Sequence, residues 1–540
     1  MIKLAFFTKP IDLGTLFDDL ADRRHATTVH LSRPLDIAPE LGTDLDIPRL
    51  AGLVQEAAGW LAAAGAGPGE RVVIAKRNHW DYALLSCAAA RIGAVPVSLS
   101  AHLAPDVLEK LIVRLDPALL VTDSALLGTA GTAGTNLAAV APRTLVLDDA
   151  ARLGVLCLDD VRGHPAPPTY RPRPDDPVAI MHTSGTTGVP KLVVHSTRTL
   201  LRRLAGFESH RWPLLGSRPN DAVASAVSFA HGRALAWTAS VLWLAPDRLL
   251  AVSSGDWAEA GPFLERHRPT TLEAQPATYV RWQRHADGED DGPFARVRLF
   301  ISTFDAMHPP TVRAFLNATR HPRPVWMQGW GQSETGPLTF RFLTRRAMAA
   351  RHDRHPTTRD LGRPVPTRTR LRVVDPETLR RLPRGANGLV LCRTKALCLG
   401  YVGEPERWQS KRAGQWWHTG DVGALTLGGR LRFVDREADA IPEGSCVELE
   451  DVIDDRLPEV LECVILSVPG GPSLPVVVTE DGLLDPDAWH RATADLPKLA
   501  DPVVRTWDEI PRTGTGKVRR AALRERLGEA RETYGTGRWT

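Results

Sequence analysis

Apolar positions in the first quarter of the chain recur at two spacings. Leu50, Leu53, Val54, Ala57, Trp60 and Leu61 share one helical face, and the glycines of 65–69 end the run. Residues 71–75, Arg-Val-Val-Ile-Ala, then read as a short buried strand. The apolar stretch 82–98 is broken by Arg91 and by Gly93-Ala94-Val95-Pro96, which predicts helix, turn and strand. Pro105 starts a helix carrying Leu108, Leu111, Ile112 and Leu115, and strand 119–122 follows. Strands alternating with helices predict an α/β fold, with parallel sheets covered by helices.

Residues 124–140, rich in Gly, Ala and Thr, are expected to be a variable surface stretch. From about 365 the texture shifts to short strands at 371–374, 389–392 and 431–434. The last hundred or so residues read as a compact mixed unit ending in a basic helix over 518–530, with a domain junction near Asp435-Arg436. No fixed-period repeat is visible.

Composition narrows the class. A chain of 540 residues exceeds what one core organises, so at least two domains are expected. The net charge of +4, from 67 basic and 63 acidic residues, gives no case for a nucleic-acid footprint. No apolar run reaches membrane-spanning length, and the N-terminus fails as a signal peptide at Lys9-Pro10. Six cysteines without a C-x-x-C pair suit a reducing cytoplasm and argue against a metal cluster.

The most informative segment is 179–194, where an apolar strand enters and another leaves a loop of Ser184, Gly185, Thr186, Thr187, Gly188, Pro190 and Lys191. Backbone N–H groups, hydroxyls and a lysine charge are equipment for holding a polyphosphate. The spacing is not that of a Walker A loop. An ordinary Gly-rich turn would not need three hydroxyls followed by Pro-Lys.

This S-G-T-T-G-x-P-K string resembles the phosphate loop of the adenylate-forming superfamily, which comprises acyl-CoA synthetases, peptide synthetase adenylation domains and luciferases. Further matches follow in order: Ser228-Phe229-Ala230-His231-Gly232, Gly329-Trp330-Gly331-Gln332-Ser333-Glu334, Thr419-Gly420-Asp421, and Pro511-Arg512-Thr513-Gly514-Thr515-Gly516-Lys517. The resemblance implies a large N-terminal domain of layered sheets and helices (1–434) and a small mobile α+β C-terminal domain (435–540). It implies ATP and Mg²⁺ as cofactors, a small-molecule acid as substrate, and a thiol or amine acceptor, with CoA as the family default. A homodimer is compatible with it.

By the same resemblance, Trp330 would stack on adenine, with Gly331 in the same nucleotide-binding turn and Ser333 at the α-phosphate. Glu334 would ligate Mg²⁺, a hard cation that prefers oxygen. Asp421 would bind ribose, Arg436 would lie beside the nucleotide, and Lys517 would reach the acid and α-phosphate. His231 would wall or gate the acid pocket without acting as a general base, because the acid arrives ionised.

Two departures qualify the resemblance. Ala438 and Pro442 replace charged residues of the usual hinge segment, which weakens the case for CoA. In 299–306 the family's paired glycines have become Thr303-Phe304, ahead of Asp305. Two added side chains reshape an acid pocket formed by His231, Thr303, Phe304, Asp305 and Gly329, which predicts a small or flat acid. Three readings therefore stand: an acid–CoA ligase, an adenylating enzyme with another acceptor (an amine, a carrier-protein thiol, or an aryl amine receiving activated nitrite), and a nucleotide-binding pseudoenzyme.

Overall fold

The computed structural model describes residues 10–24, 26–148, 154–183, 189–213, 216–349, 355–441, 444–468 and 470–534. Among them, an 8-stranded sheet runs in the order Gly400–Tyr401, Leu192–Ser196, Pro177–His182, Val95–Ser100, Arg71–Lys76, Leu119–Thr122, Thr144–Val146 and Leu156–Cys157. From Pro177–His182 onward its neighbours are parallel. A 14-stranded sheet carries a parallel run from Thr28–Leu31 through Arg248–Ala251, Ala222–Ala226, Thr271–Ala274 and Leu299–Ser302 to Val325–Gln332. Gly336–Leu343 then turns antiparallel, and the strands beyond it continue that way to Thr369–Val374.

Helices Ile47–Ala63, Asp81–Arg91 and Gly232–Leu244 share one core with Val72 and Ile74 of the first sheet and Val223 and Leu249 of the second. This double coverage is why the parallel strands read as unbroken apolar runs. The Asp46 side chain caps the first of these helices by accepting from Arg49 N at 2.8 Å, worth about 1 kcal/mol.

The C-terminal residues form a 3-stranded sheet of Glu462–Leu466, Leu474–Val478 and Val503–Arg505. Its strands alternate: Cys463 and Ile465 face the helices Cys446–Arg456 and Pro486–Thr493, while Val464 and Leu466 face Arg520–Tyr534. Helix Cys446–Arg456 meets the large body through its acidic residues. His308 Nδ1 lies 2.8 Å from Asp451, Arg359 lies 2.5 Å from Glu448, and His355 lies 2.7 Å from Asp455, which also pairs with Arg313. Burial alone would pull the His308 imidazole down, but Asp454, Asp451 and Glu450 lift it to about 10.

The expected strand starting at 431 extends through Arg436, which pairs with Asp421, so the position 434/435 falls inside a strand of the large sheet. The terminal helix begins at Arg520, two positions later than expected, because Val518 forms a bridge with Arg512. The stretch 124–140 is not simply surface. Asp123 caps a helix Ser124–Thr132 that buries Leu126, Leu127 and Ala130. No helix among the described residues is long and apolar enough to cross a membrane.

Candidate functional site

The site lies where the two large sheets and the C-terminal residues meet. Strands Pro177–His182 and Leu192–Ser196 pair antiparallel and hold the feet of the Gly/Ser/Thr loop. Thr183 N donates to Lys191 O at 2.9 Å, and Lys191 N donates to the Thr183 hydroxyl at 3.0 Å. Ser184, Gly185, Thr186, Thr187 and Gly188 lie outside the described residues. Lys191 extends from the exit foot and donates to Glu334 Oε1 at 2.8 Å.

Glu334 sits in the turn between strands Val325–Gln332 and Gly336–Leu343 and is buried. Its Oε1 also accepts from the Tyr401 hydroxyl at 2.6 Å. Burial pushes this carboxyl up, but the Lys191 charge and the two hydrogen bonds outweigh it and leave the group below the usual glutamate value. Behind the turn, buried His195 donates from Nε2 to Ser333 O at 2.8 Å, while its Nδ1 lies 3.0 Å from the Thr199 hydroxyl. Thr199 belongs to a π-helical stretch, Thr197–Ala205, a wide-turn geometry found mostly at functional sites. Neither Tyr401 nor His195 was singled out from the sequence. His195 lies on the strand leaving the loop, whereas Tyr401 lies on the strand Gly400–Tyr401 that pairs with it far along the chain.

Asp421, buried, lies 3.1 Å from Arg436, and its backbone N–H donates to the Thr419 hydroxyl at 3.1 Å. Gln332 Nε2 donates to Thr419 O at 2.5 Å, tying the Glu334 turn to the Asp421 strand. Trp330, Gly331, Asp421 and Arg436 line a cavity of about 220 Å³, and Gln328, lining the same space, has a buried side-chain oxygen without a hydrogen-bond partner among the described residues. A Cβ at Gly331 would approach Gly336 O to 2.2 Å, so only glycine permits this turn. An unpaired acceptor above a half-buried indole, with a carboxylate for two hydroxyls, fits an adenosine. Among the described residues no cluster of three or more His, Cys, Asp or Glu side chains could hold a metal ion alone. Glu334 therefore fits Mg²⁺ as one carboxylate of a shell completed by phosphate and water oxygens.

Lys517 follows a tight turn in which Gly516 N donates to Thr513 O and Thr513 N donates to Lys517 O, both at 2.8 Å. Gly516 has φ +78, and a Cβ there would meet the Ala277 side chain at 2.6 Å. Lys517 lines both the nucleotide-side cavity and a second cavity of about 340 Å³. Burial lowers its ammonium pKa, opposed by Asp305, Asp421 and Glu334. Lys191, Lys411 and Arg436 also line the larger cavity, so positive charge gathers there with Lys517.

His231, Thr303, Phe304 and Gly329 line this larger cavity, whereas Asp305 is exposed and lines the nucleotide side. Phe304 adopts φ +83, the conformation its replaced glycine would hold freely. Its ring meets His231 edge-on, with centroids 4.8 Å apart. His231 caps helix Gly232–Leu244, and its Nδ1 accepts from Arg233 N at 3.1 Å. Burial, with His182 and Lys517 nearby, pushes its pKa down to about 3. With Nδ1 accepting from Arg233 N, the neutral ring carries its proton on Nε2. Deeper in the cavity, Arg233 reaches Glu273 through Nε at 2.7 Å and also pairs with Glu208. This network was invisible in the sequence, where its members lie far apart.

Residues 40–402 match the family model described as AMP-binding enzyme. A 3-amino-2-hydroxy-4-methoxybenzoate diazotase from Streptomyces cremeus is 38% identical over 96% of this chain and 96% of its own length. A 3-hydroxybenzoate–CoA ligase from Aromatoleum sp. (strain CIB) is 28% identical over 88% of this chain and 91% of its own. The crystal structure of the anthranilate CoA ligase AuaEII with anthranoyl-AMP superposes with a TM-score of 0.80 at 19% identity, covering 98% of this chain and 100% of that one.

Proposed function

The chain belongs to the AMP-binding enzyme family, and from that premise we propose that it activates nitrite with ATP and passes the nitroso group to an aryl amine, as a diazotase. The observation that carries this reading is the 38% identity to a diazotase over nearly the whole of both chains. Phe304 supports it, because a side chain where the resemblance expects glycine narrows the passage between the two cavities and favours a very small acid. CoA, the default acceptor of the resemblance, has less support, since Ala438 and Pro442 depart from the hinge pattern that accompanies thiol transfer.

In the first step a nitrite oxygen attacks the α-phosphorus, and the bond to pyrophosphate breaks with its electron pair leaving on pyrophosphate. Lys191 and Lys517 meet the charge that develops there from fixed positions, where it costs no reorganisation. His231 Nε2–H donates toward the bound acid and helps to hold it in line. Glu334 would hold Mg²⁺, which when bound would supply further charge neutralisation. In the second step the amine nitrogen attacks the nitroso nitrogen, the N–O bond to AMP breaks with its electrons going to AMP, and an N–H proton passes to solvent. The N-nitroso product tautomerises, takes up a proton and loses water to give the diazonium.

Pyrophosphate release is the test, measured with ATP and either nitrite or a panel of benzoates, with and without CoA or an aryl amine. Nitrite-dependent release without CoA, and a coupled azo dye when amine is present, is the expected result. CoA-dependent release with a benzoate and none with nitrite would overturn the reading.

A further inference from the structure

The cavity floored by Arg233 is larger than nitrite needs. It measures about 340 Å³, within the range of whole small-molecule sites. A nitrite ion fills roughly one or two water volumes of about 30 Å³ each. In the nitrite reading, most of this space has no occupant.

We propose that this cavity seats the acceptor: a flat aromatic amine carrying a second hydrogen-bonding substituent remote from the reacting nitrogen. The proposal rests on the nitrite reading above and deepens it. The walls are aromatic. Phe207 and Phe340 lie parallel within 5° with centroids 6.4 Å apart, and Trp212 lies 5.0 Å from Phe207. Such faces receive a planar ring.

The floor is polar and built. Arg233 Nη2 and Nε hold both oxygens of buried Glu273 at 2.8 and 2.7 Å, and Ser240 Oγ lies 3.5 Å from Glu208 Oε2. The Arg233 guanidinium is occupied by these two glutamates, and Glu208 offers acceptor oxygens to a phenol or amine. The hydroxyls of Thr271 and Thr303 line the same cavity, and both are buried without a hydrogen-bond partner among the described residues. Buried polar groups left unpaired in a protein call for a partner, and a substituted ring supplies one.

The reacting junction is fixed by the residues shared between the two cavities, Phe304, Gly329 and Lys517 among them. An amine nitrogen pointing from the aromatic wall toward Phe304 faces the small acid where Lys517 holds it. Both steps then occur in one enclosure, without a separate channel for the acceptor.

Turnover of the full chain with ATP, nitrite and either 4-aminophenol or aniline tests this, read by pyrophosphate release and dye coupling. Lower KM for 4-aminophenol than for aniline by about tenfold is expected. Val241→Phe, which fills the cavity, should raise the 4-aminophenol KM at least tenfold while the nitrite KM changes less than threefold. Glu208→Gln, which keeps the volume, should erase the preference for 4-aminophenol and serves if the larger side chain impairs folding. Equal KM values for the two amines, or an unchanged amine KM in both variants, would overturn the proposal while leaving nitrite activation intact. Absence of nitrite-dependent pyrophosphate in the unaltered enzyme would instead defeat the reading beneath it.

Discussion

Phe304→Gly separates strain from function at one position. Phe304 sits at φ +83, and a non-glycine residue in the left-handed region costs roughly 1–2 kcal/mol. Glycine removes that strain, but it forfeits an aromatic contact with His231 worth about 0.5–1.5 kcal/mol. It also brings about 0.5–1 kcal/mol of extra backbone entropy to the unfolded chain. The terms nearly cancel, so stability should change by no more than about 1–2 kcal/mol. The functional change should be larger, because the ring stands between cavities of about 340 and 220 Å³. With it gone, benzoates should begin to release pyrophosphate and the preference for nitrite should fall. Urea unfolding and a pyrophosphate assay with both acids check the two halves. A stability loss above about 3 kcal/mol, on the scale of a core truncation, would show that Phe304 is a packing residue. An unchanged acid preference would refute its role as a partition.

Other expectations follow from the same contacts. Lys517→Ala should lower pyrophosphate release by about 10²–10³-fold, the scale of a lost transition-state donor, with ATP affinity by calorimetry changed only a few-fold; a normal rate removes Lys517 from the reaction. Tyr401→Phe leaves buried Glu334 short of a hydrogen bond, costing about 1–3 kcal/mol, and should slow adenylation or raise its Mg²⁺ requirement; indifference in both would sink the assignment. His308→Gln removes the cation facing Asp451 and Asp454, and breaking such a buried pair costs about 3–5 kcal/mol. The His308 pKa is raised to about 10 from an ordinary 6.5. Its contribution is therefore complete below about 6.5 and is lost as pH rises through 10. Urea midpoints of both proteins between pH 6 and 10.5 should converge at the alkaline end, and parallel curves would contradict the charged pair.

The helices and strands between residues 50 and 122 were legible because each is written in one short stretch of sequence; the helix Leu16–Asp22 and the strands Thr28–Leu31 and Asp44–Asp46 were not read. The helix Ser124–Thr132 was not, since Gly and Thr dilute its apolar content and only Leu126, Leu127 and Ala130 reach the core. The motif residues Lys191, Glu334, Asp421 and Lys517 were readable for the same reason as the early strands, each carrying its chemistry in a local string. Their supports were not. Tyr401 lies 67 positions from Glu334, His195 lies 138 from Ser333, and Glu273 lies 40 from Arg233. Only the folded sheets bring such pairs together, so long-range polar partners escape a reading that works along the chain.

The acidic helix Cys446–Arg456 is fastened to the large body by His308, Arg313, His355 and Arg359, and if the C-terminal residues move in the proposed reaction, these contacts would set how often the enclosure opens. A free-energy gap of a few kcal/mol leaves the minor state at about 0.1–10%. In that case products would wait for an opening, and turnover would depend on hinge frequency as much as bond making. Salt weakens the exposed members of this fastening more than the buried ones. Raised ionic strength should accordingly quicken release before it harms the chemistry. If the product is the reactive diazonium of the proposed reaction, a slow gate would also act as a shield.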